Sequence, residues 1–343
     1  MNYSTNYIIY SDNRVLEREI AASLHLLSEE LLDAATPDSS VTVADIFLNM
    51  RGNYEQRSFS SKIFEGLRDV LEGSLTDEYR QQEPLAWAET QNSLGNIYAA
   101  LGQQRRDVDL FEKAIQCFNN AMEELSQEAS PHAWATTQYN LGTASQALGR
   151  QQKDTKLLNA AVDAYTNALL VWSREESPED WMSAMCQLGA TFHTYGKLLK
   201  GNRNLQKSVV AYKNALAVLN ADDHALELTA THNNRGAVLH HLAESEENPD
   251  RLNEAINSYE KALSVCMEQQ LPFHFAVICR VNKATAQNTL AELTNDVMLA
   301  EEIADEFELI LACFPHALQP LCVKHCEEQM SKAKSLLNSA DSH

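Results

Sequence analysis

The sequence predicts an all-α solenoid built from stacked helix hairpins, and three observations carry that expectation. The first is a lattice of helix-breaking residues. Gly95, Gly142, Gly189 and Gly236 are each 47 residues apart, and Gly102, Gly149 and Gly196 keep the same interval. Pro37, Pro84, Pro131, Pro178 and Pro272 fall on the same lattice, with Ala225 in the one gap. A fixed period of 20–50 residues is the signature of a repeat architecture. The second observation is a row of helix-capping residues at that period: Ser60, Asp107, Asp154, Gly201, Asn248 and Asn295. Their short oxygens accept from the free N–H groups of a first helical turn, and glycine is tolerated there. The third is an apolar stripe behind each cap. Phe111, Ala114, Ile115, Phe118, Ala121 and Met122 are followed one period later by Leu158, Ala161, Val162, Tyr165, Ala168 and Leu169. That i, i+3, i+4, i+7 spacing lines one face of a helix. No stretch alternates with a period of two, so no sheet is expected.

Each unit opens with its own helix. Ser130-Pro131 and Ser177-Pro178 place a hydroxyl before a proline, whose missing N–H costs nothing at the first helical position. Glu179 and Asp180 add negative charge to a first turn, favouring the helix dipole. The spacing predicts a first helix of about 17 residues, with Trp134, Leu141, Ala144 and Leu148 inward and Gly149 as a left-handed C-cap. A mid-helix glycine costs about 1 kcal/mol against alanine, so its recurrence at Gly95, Gly142, Gly189 and Gly236 asks for a packing reason. Close approach to the small Ala114, Ala161, Ser208 and Ala255 of the paired helix would supply it.

These residues carry a family resemblance. Leu94-Gly95-x-x-Tyr98 followed by Ala114-x-x-x-Phe118-x-x-Ala121 resembles a tetratricopeptide repeat. Later copies run through Leu141, Gly142, Ala161, Tyr165 and Ala168, then Gly189, Ser208, Tyr212 and Ala215, then Gly236, Ala255, Tyr259 and Ala262. The period exceeds the usual ~34 residues of that family, and the stretch from Pro131 to Gly142 is similar to the long-unit repeats that accompany caspase-like CHAT domains. The chain leaves no room for such a protease domain, so only the array is carried over. The resemblance implies a right-handed solenoid whose first helices line a concave groove. The expected organisation is an N-terminal tail and capping helix over 1–36, and six units at 37–83, 84–130, 131–177, 178–224, 225–271 and 272–318. A C-terminal capping helix and tail over 319–343 completes it. The last unit is expected to be degenerate, with Lys283 in place of the glycine and Glu306 in place of the aromatic.

Composition narrows the function. With 27 basic and 48 acidic residues the net charge is −21, against a nucleic-acid or anionic-membrane surface. No apolar run reaches a membrane span and no secretory leader is visible at the start. Seven cysteines at irregular spacings read as reduced thiols, so a cytoplasmic location is expected. Residues 241–310 hold 14 acidic and four basic residues, a net of −10, read as a solvated face. No phosphate loop, nucleophile elbow or H-E-x-x-H motif occurs, so no enzyme, cofactor or metal is expected. Cys322, His325 and Cys326, with Cys313 nearby, make a metal-like cluster, but lone cysteines usually pack as small hydrophobes.

The expected function is a non-catalytic interaction scaffold that binds a segment of a partner protein in the groove. The alternative is a peptide- or ligand-responsive regulatory sensor, and self-association is left open. By the resemblance, the groove wall comprises Asn92, Asn96, Tyr139, Thr143, Gln146, His193, Asn233 and His240. Asn92 and Asn96 have the amide character of the clamp that chaperone-binding members use for C-terminal carboxylates. The basic residues of that clamp are missing, so acidic tails are not the expected ligand.

Overall fold

The computed structural model describes residues 8–9, 26–27, 53–313 and 320–340. Among these residues the regular structure is thirteen helices and one two-residue bridge. The chain packs as two bodies, divided between Leu199 and Lys200. The first holds α1 (Asn53–Ser74), α2 (Asp77–Gln82), α3 (Pro84–Arg105), α4 (Val108–Met122), α5 (Pro131–Gln152), α6 (Thr155–Ala168) and α7 (Pro178–Leu199). The second holds α8 (Asn202–Leu216), α9 (Ala225–Glu246), α10 (Pro249–Glu268), α11 (Phe273–Thr294), α12 (Val297–Cys313) and α13 (Pro320–Ala340). It also includes β1 (Ile8–Ile9), antiparallel to β2 (Leu26–Leu27) and lying beside α9. Leu26 and Leu27 fall within the N-terminal tail and capping helix expected over 1–36; apart from β1 and β2 that stretch, and 37–52 of the first unit, lie outside the described residues.

The helices pack in successive pairs, as the repeat requires: α3 on α4 and α5 on α6 in the first body, α9 on α10 and α11 on α12 in the second. Second helices start where the capping row places them. The carboxylates of Asp107 and Asp154 accept from the N–H groups of Asp109 and Lys156, and the Asn248 carbonyl accepts from Asp250. Gly201 caps through its backbone alone. Ser60 is an exception, lying inside α1 rather than at its start. The hydroxyls of Ser130 and Ser177 do not cap the helices they precede. They accept from the N–H groups of Ser126 and Ser173, tying the preceding loop into a turn.

First helices are longer than expected. Each of α3, α5, α7, α9 and α11 is 22 residues, and α5 runs through Gly149 to Gln152. The left-handed stop falls on non-glycine residues: Arg106, Lys153, Lys200, Glu247 and Asn295, all with φ near 50°. A side chain there costs roughly 1–2 kcal/mol, which glycine avoids. Lys153→Gly is therefore expected to raise the stability of the first body by up to about 1 kcal/mol, read by urea denaturation.

The helix glycines face rings, not small residues. A Cβ on Gly95, Gly142 or Gly236 would stand 2.6, 2.8 or 2.7 Å from the ring of Phe118, Tyr165 or Tyr259 on the paired helix. Those three rings are wholly buried, so the glycine is the hollow into which the next helix's aromatic fits. Of the core residues expected in the first helix, Ala144 and Leu148 are buried, while Trp134 and Leu141 are half-buried against neighbouring clusters.

The last repeat is not degenerate but shifted by one residue. α11 begins at Phe273 rather than on the lattice position 272, and Asn295 is its left-handed C-cap rather than the next N-cap. Asp296 takes the capping role, accepting from the N–H of Leu299. With that offset Ala284 stands at the glycine position and Phe307 at the aromatic position, both buried. Ala300, Ile303 and Ile310 likewise replace Leu252, Ala255 and Ala262, all of them buried.

Candidate partner-binding face

The expected groove residues lie on one face of the first helices, and most of them are interior. Tyr139, Gln146, His193, Asn233 and His240 are buried; Asn92, Asn96 and Thr143 are half-buried. The open amide wall is therefore corrected to a polar seam between successive first helices. A buried amide or imidazole is costly unless bonded, and here the partner comes from the next repeat.

In the first body, Asn140 Nδ2 on α5 donates to Asn92 Oδ1 on α3 at 3.1 Å. The Tyr165 hydroxyl on α6 donates to Gln146 Oε1 at 3.0 Å and lies 3.1 Å from the Thr143 hydroxyl. Gln146 Nε2 reaches the carbonyl of Gln187 on α7 at 3.5 Å. The Tyr139 ring tilts against both Tyr165 and Trp172, with centroids 5.5 and 5.4 Å away. Tyr139 is thus an aromatic core residue.

The second body repeats the scheme. Asn282 Nδ2 on α11 donates to Asn233 Oδ1 on α9 at 2.9 Å. Asn233 and Asn282 stand three repeats beyond Asn92 and Asn140, once the one-residue shift is counted. His240 Nε2 bonds the Thr289 hydroxyl at 2.9 Å. Burial lowers the His240 imidazole to about 3, helped by the nearby cations of α13, so it is neutral at neutral pH. His232 is lowered to about 4 for the same first reason.

Among the described residues the seam is partly open at α3 and at Thr143 of α5. Asn92 and Asn96 are half-exposed on α3, and the Oδ1 atoms of Asn96 and Asn140 have no hydrogen-bond partner. Position separates the two asparagines from the buried residues: among the described residues α3 is the first of the five 22-residue first helices. The metal-like cluster is engaged otherwise. Cys322 and Cys326 are free, buried thiols hydrogen-bonded to each other, and the His325 ring is hydrogen-bonded with the Thr285 hydroxyl. Cys313 is exposed. Among the described residues no group of three metal-binding side chains converges, and no helix is long and apolar enough to cross a membrane.

A tetratricopeptide-repeat family model matches residues 87–123, spanning most of α3 and all of α4. This supports a repeat protein of the tetratricopeptide type, an all-helical class that generally mediates protein–protein interaction and is typically non-catalytic. Among solved structures the chain is similar to BtubC (BKLC) from P. vanneervenii, at 15% identity and a TM-score of 0.43, covering 82% of this chain and 93% of that one. A search of curated proteins gives no match.

Proposed function

We propose that the chain is a non-catalytic adaptor, a long-unit tetratricopeptide-type array that binds an extended segment of a partner protein on the open stretch of its first-helix face, at Asn92 and Asn96. The observation that carries the reading is the pair of unmet acceptors, Asn96 Oδ1 and Asn140 Oδ1, beside two half-exposed asparagines. An unbonded buried acceptor costs about 1–3 kcal/mol, and a turn of the half-exposed Asn96 amide would present its oxygen to a backbone N–H of an extended peptide. Gln146, Asn233 and His240 instead find partners on the next first helix of their own body. Asn92 and Asn96 lie one helical turn apart, a spacing that suits two successive contacts along one strand of peptide.

The test is quantitative affinity purification from source cells with three baits: wild type, Asn92→Ala/Asn96→Ala, and a surface control, Glu301→Ala/Glu302→Ala. A partner recovered equally by wild type and control, and at least tenfold less by the asparagine variant at unchanged melting temperature, supports the reading. Equal recovery by all three baits moves the binding surface elsewhere. Loss only with the acidic variant assigns it to α12.

A further inference from the structure

The terminal helix α13 is fastened through histidine. Its inner face buries Cys322, His325, Cys326, Gln329 and Ala333, and it packs on α11 and α12. His325 Nε2 lies 3.0 Å from the Thr285 hydroxyl of α11. Asn288 Nδ2, also on α11, donates to both the side-chain and backbone oxygens of Gln329, at 2.9 and 3.0 Å. One turn along, Thr289 bonds His240 of α9. Two imidazoles, 0% and 6% exposed, thus flank a single turn of α11 from opposite neighbours. Each threonine hydroxyl also donates to its own helix, Thr285 to the Val281 carbonyl and Thr289 to that of Thr285. With those protons committed, each imidazole donates its Nε2–H to the threonine oxygen.

The charged surroundings favour the neutral rings. On α9, Glu244 is the one carboxylate close to His240 among the described residues, 3.9 Å from Nε2, and His241 stacks beside it with centroids 6.5 Å apart. From α13, His325 and Lys332 both oppose a positive charge on His240, and Lys332 opposes one on His325. α11 presents only the uncharged Thr285, Asn288 and Thr289 to the two rings. On α12 the nearest charge to α13 is Glu308, which pairs with Lys334 at the exposed edge.

We propose that α13 is an acid-releasable cap: on acidification the helix detaches from α11 because the His325 imidazole takes up a proton only when it leaves the seam. Burial holds His240 at about 3 and His325 at about 4 while α13 is docked. A detached imidazole returns to ~6.5. The docked state therefore has its full advantage above pH ~6.5 and loses it as the pH falls from there toward 4. From pH 7.5 to 5.0 the shift at His325 amounts to about 30-fold in the docked-to-detached ratio. Release uncovers Thr285 and Asn288, on the α11 counterpart of the face assigned to partner binding; that consequence rests on the proposed function, whereas the release does not.

The experiment is hydrogen–deuterium exchange of the full chain at pH 7.5 and 5.0, with rates corrected for intrinsic exchange and α4 as reference. No partner is present, so the outcome is independent of the binding reading. Protection of 320–340 is expected to fall at least tenfold at pH 5.0 while α4 changes less than threefold. His325→Gln is expected to abolish the drop, and His240→Gln, whose side chain stays between α9 and α11, to leave it unchanged. Should His325→Gln fail to dock α13 at pH 7.5, His325→Leu carries the comparison. Equal protection of α13 at both pH values overturns the proposal, as does a parallel loss in α4 or an undiminished drop in the His325 variant.

Discussion

Tyr165→Ala is expected to destabilise the first body by about 3–5 kcal/mol, among the largest effects of a single truncation in this chain. The side chain is wholly buried and its ring fills the hollow left by Gly142. The same change removes the hydroxyl that bonds Thr143 and Gln146, and one of the two rings against Tyr139. Tyr165→Phe separates these contributions. It keeps the ring and leaves Gln146 Oε1 without its donor, for an expected cost of about 1–3 kcal/mol. Urea denaturation followed by circular dichroism reads both. A loss under about 1 kcal/mol in Tyr165→Ala would mean that the ring is not the interhelix key.

Phe307→Ala is expected to cost the second body about 3–5 kcal/mol, and Glu306→Ala about 1 kcal/mol or less. The pair discriminates between two registers of the last repeat. An unbroken 47-residue lattice puts position 306 at the helix interface. The structure puts Phe307 there, wholly buried, and leaves Glu306 partly exposed in an ion pair with Arg280. Partly exposed ion pairs contribute little, whereas a buried ring leaves a cavity when removed. Comparable losses at 306 and 307, or the larger loss at 306, would contradict the shifted register.

Much of the architecture was legible because glycine and proline are scarce and recur. The lattice of Gly95, Gly142 and Gly236 gave the hairpins, and the capping residues Asp107, Asp154 and Asn248 gave the starts of second helices. The ends of first helices were misplaced for a physical reason. The sequence signal for a left-handed stop is glycine, but the glycines of this chain serve helix–helix contact, and Arg106, Lys153 and Glu247 take the left-handed conformation. The inserted residue before α11 was invisible because Lys283 and Glu306 are ordinary surface residues that give no sign of a slip.

The candidate site was less legible. Polar residues on a helix read as solvent-facing, and the family resemblance assigned them to an open groove. Asn233, His193 and His240 are instead buried; for Asn233 and His240 the bonding partners stand 49 residues away. No local pattern announces such a bond. The clue that was available is periodic: Asn92 with Asn140, and Asn233 with Asn282, recur at equivalent lattice positions once the slip is known. Asn92 and Asn96 of α3 and Thr143 of α5 keep part of the expected exposure.

Within each body the first-helix face is an interior seam, partly open at Asn92 and Asn96 of α3 and Thr143 of α5. Diethyl pyrocarbonate labelling of the native chain at pH 7, with rates resolved by mass spectrometry, tests it most directly. Exposed His132 is expected to be carbethoxylated in the native chain, while buried His193 and His240 react at least tenfold more slowly than His132 until the chain is unfolded by urea. Native-state reaction of His193 and His240 at the rate of His132 would show an open histidine-lined groove and contradict the account.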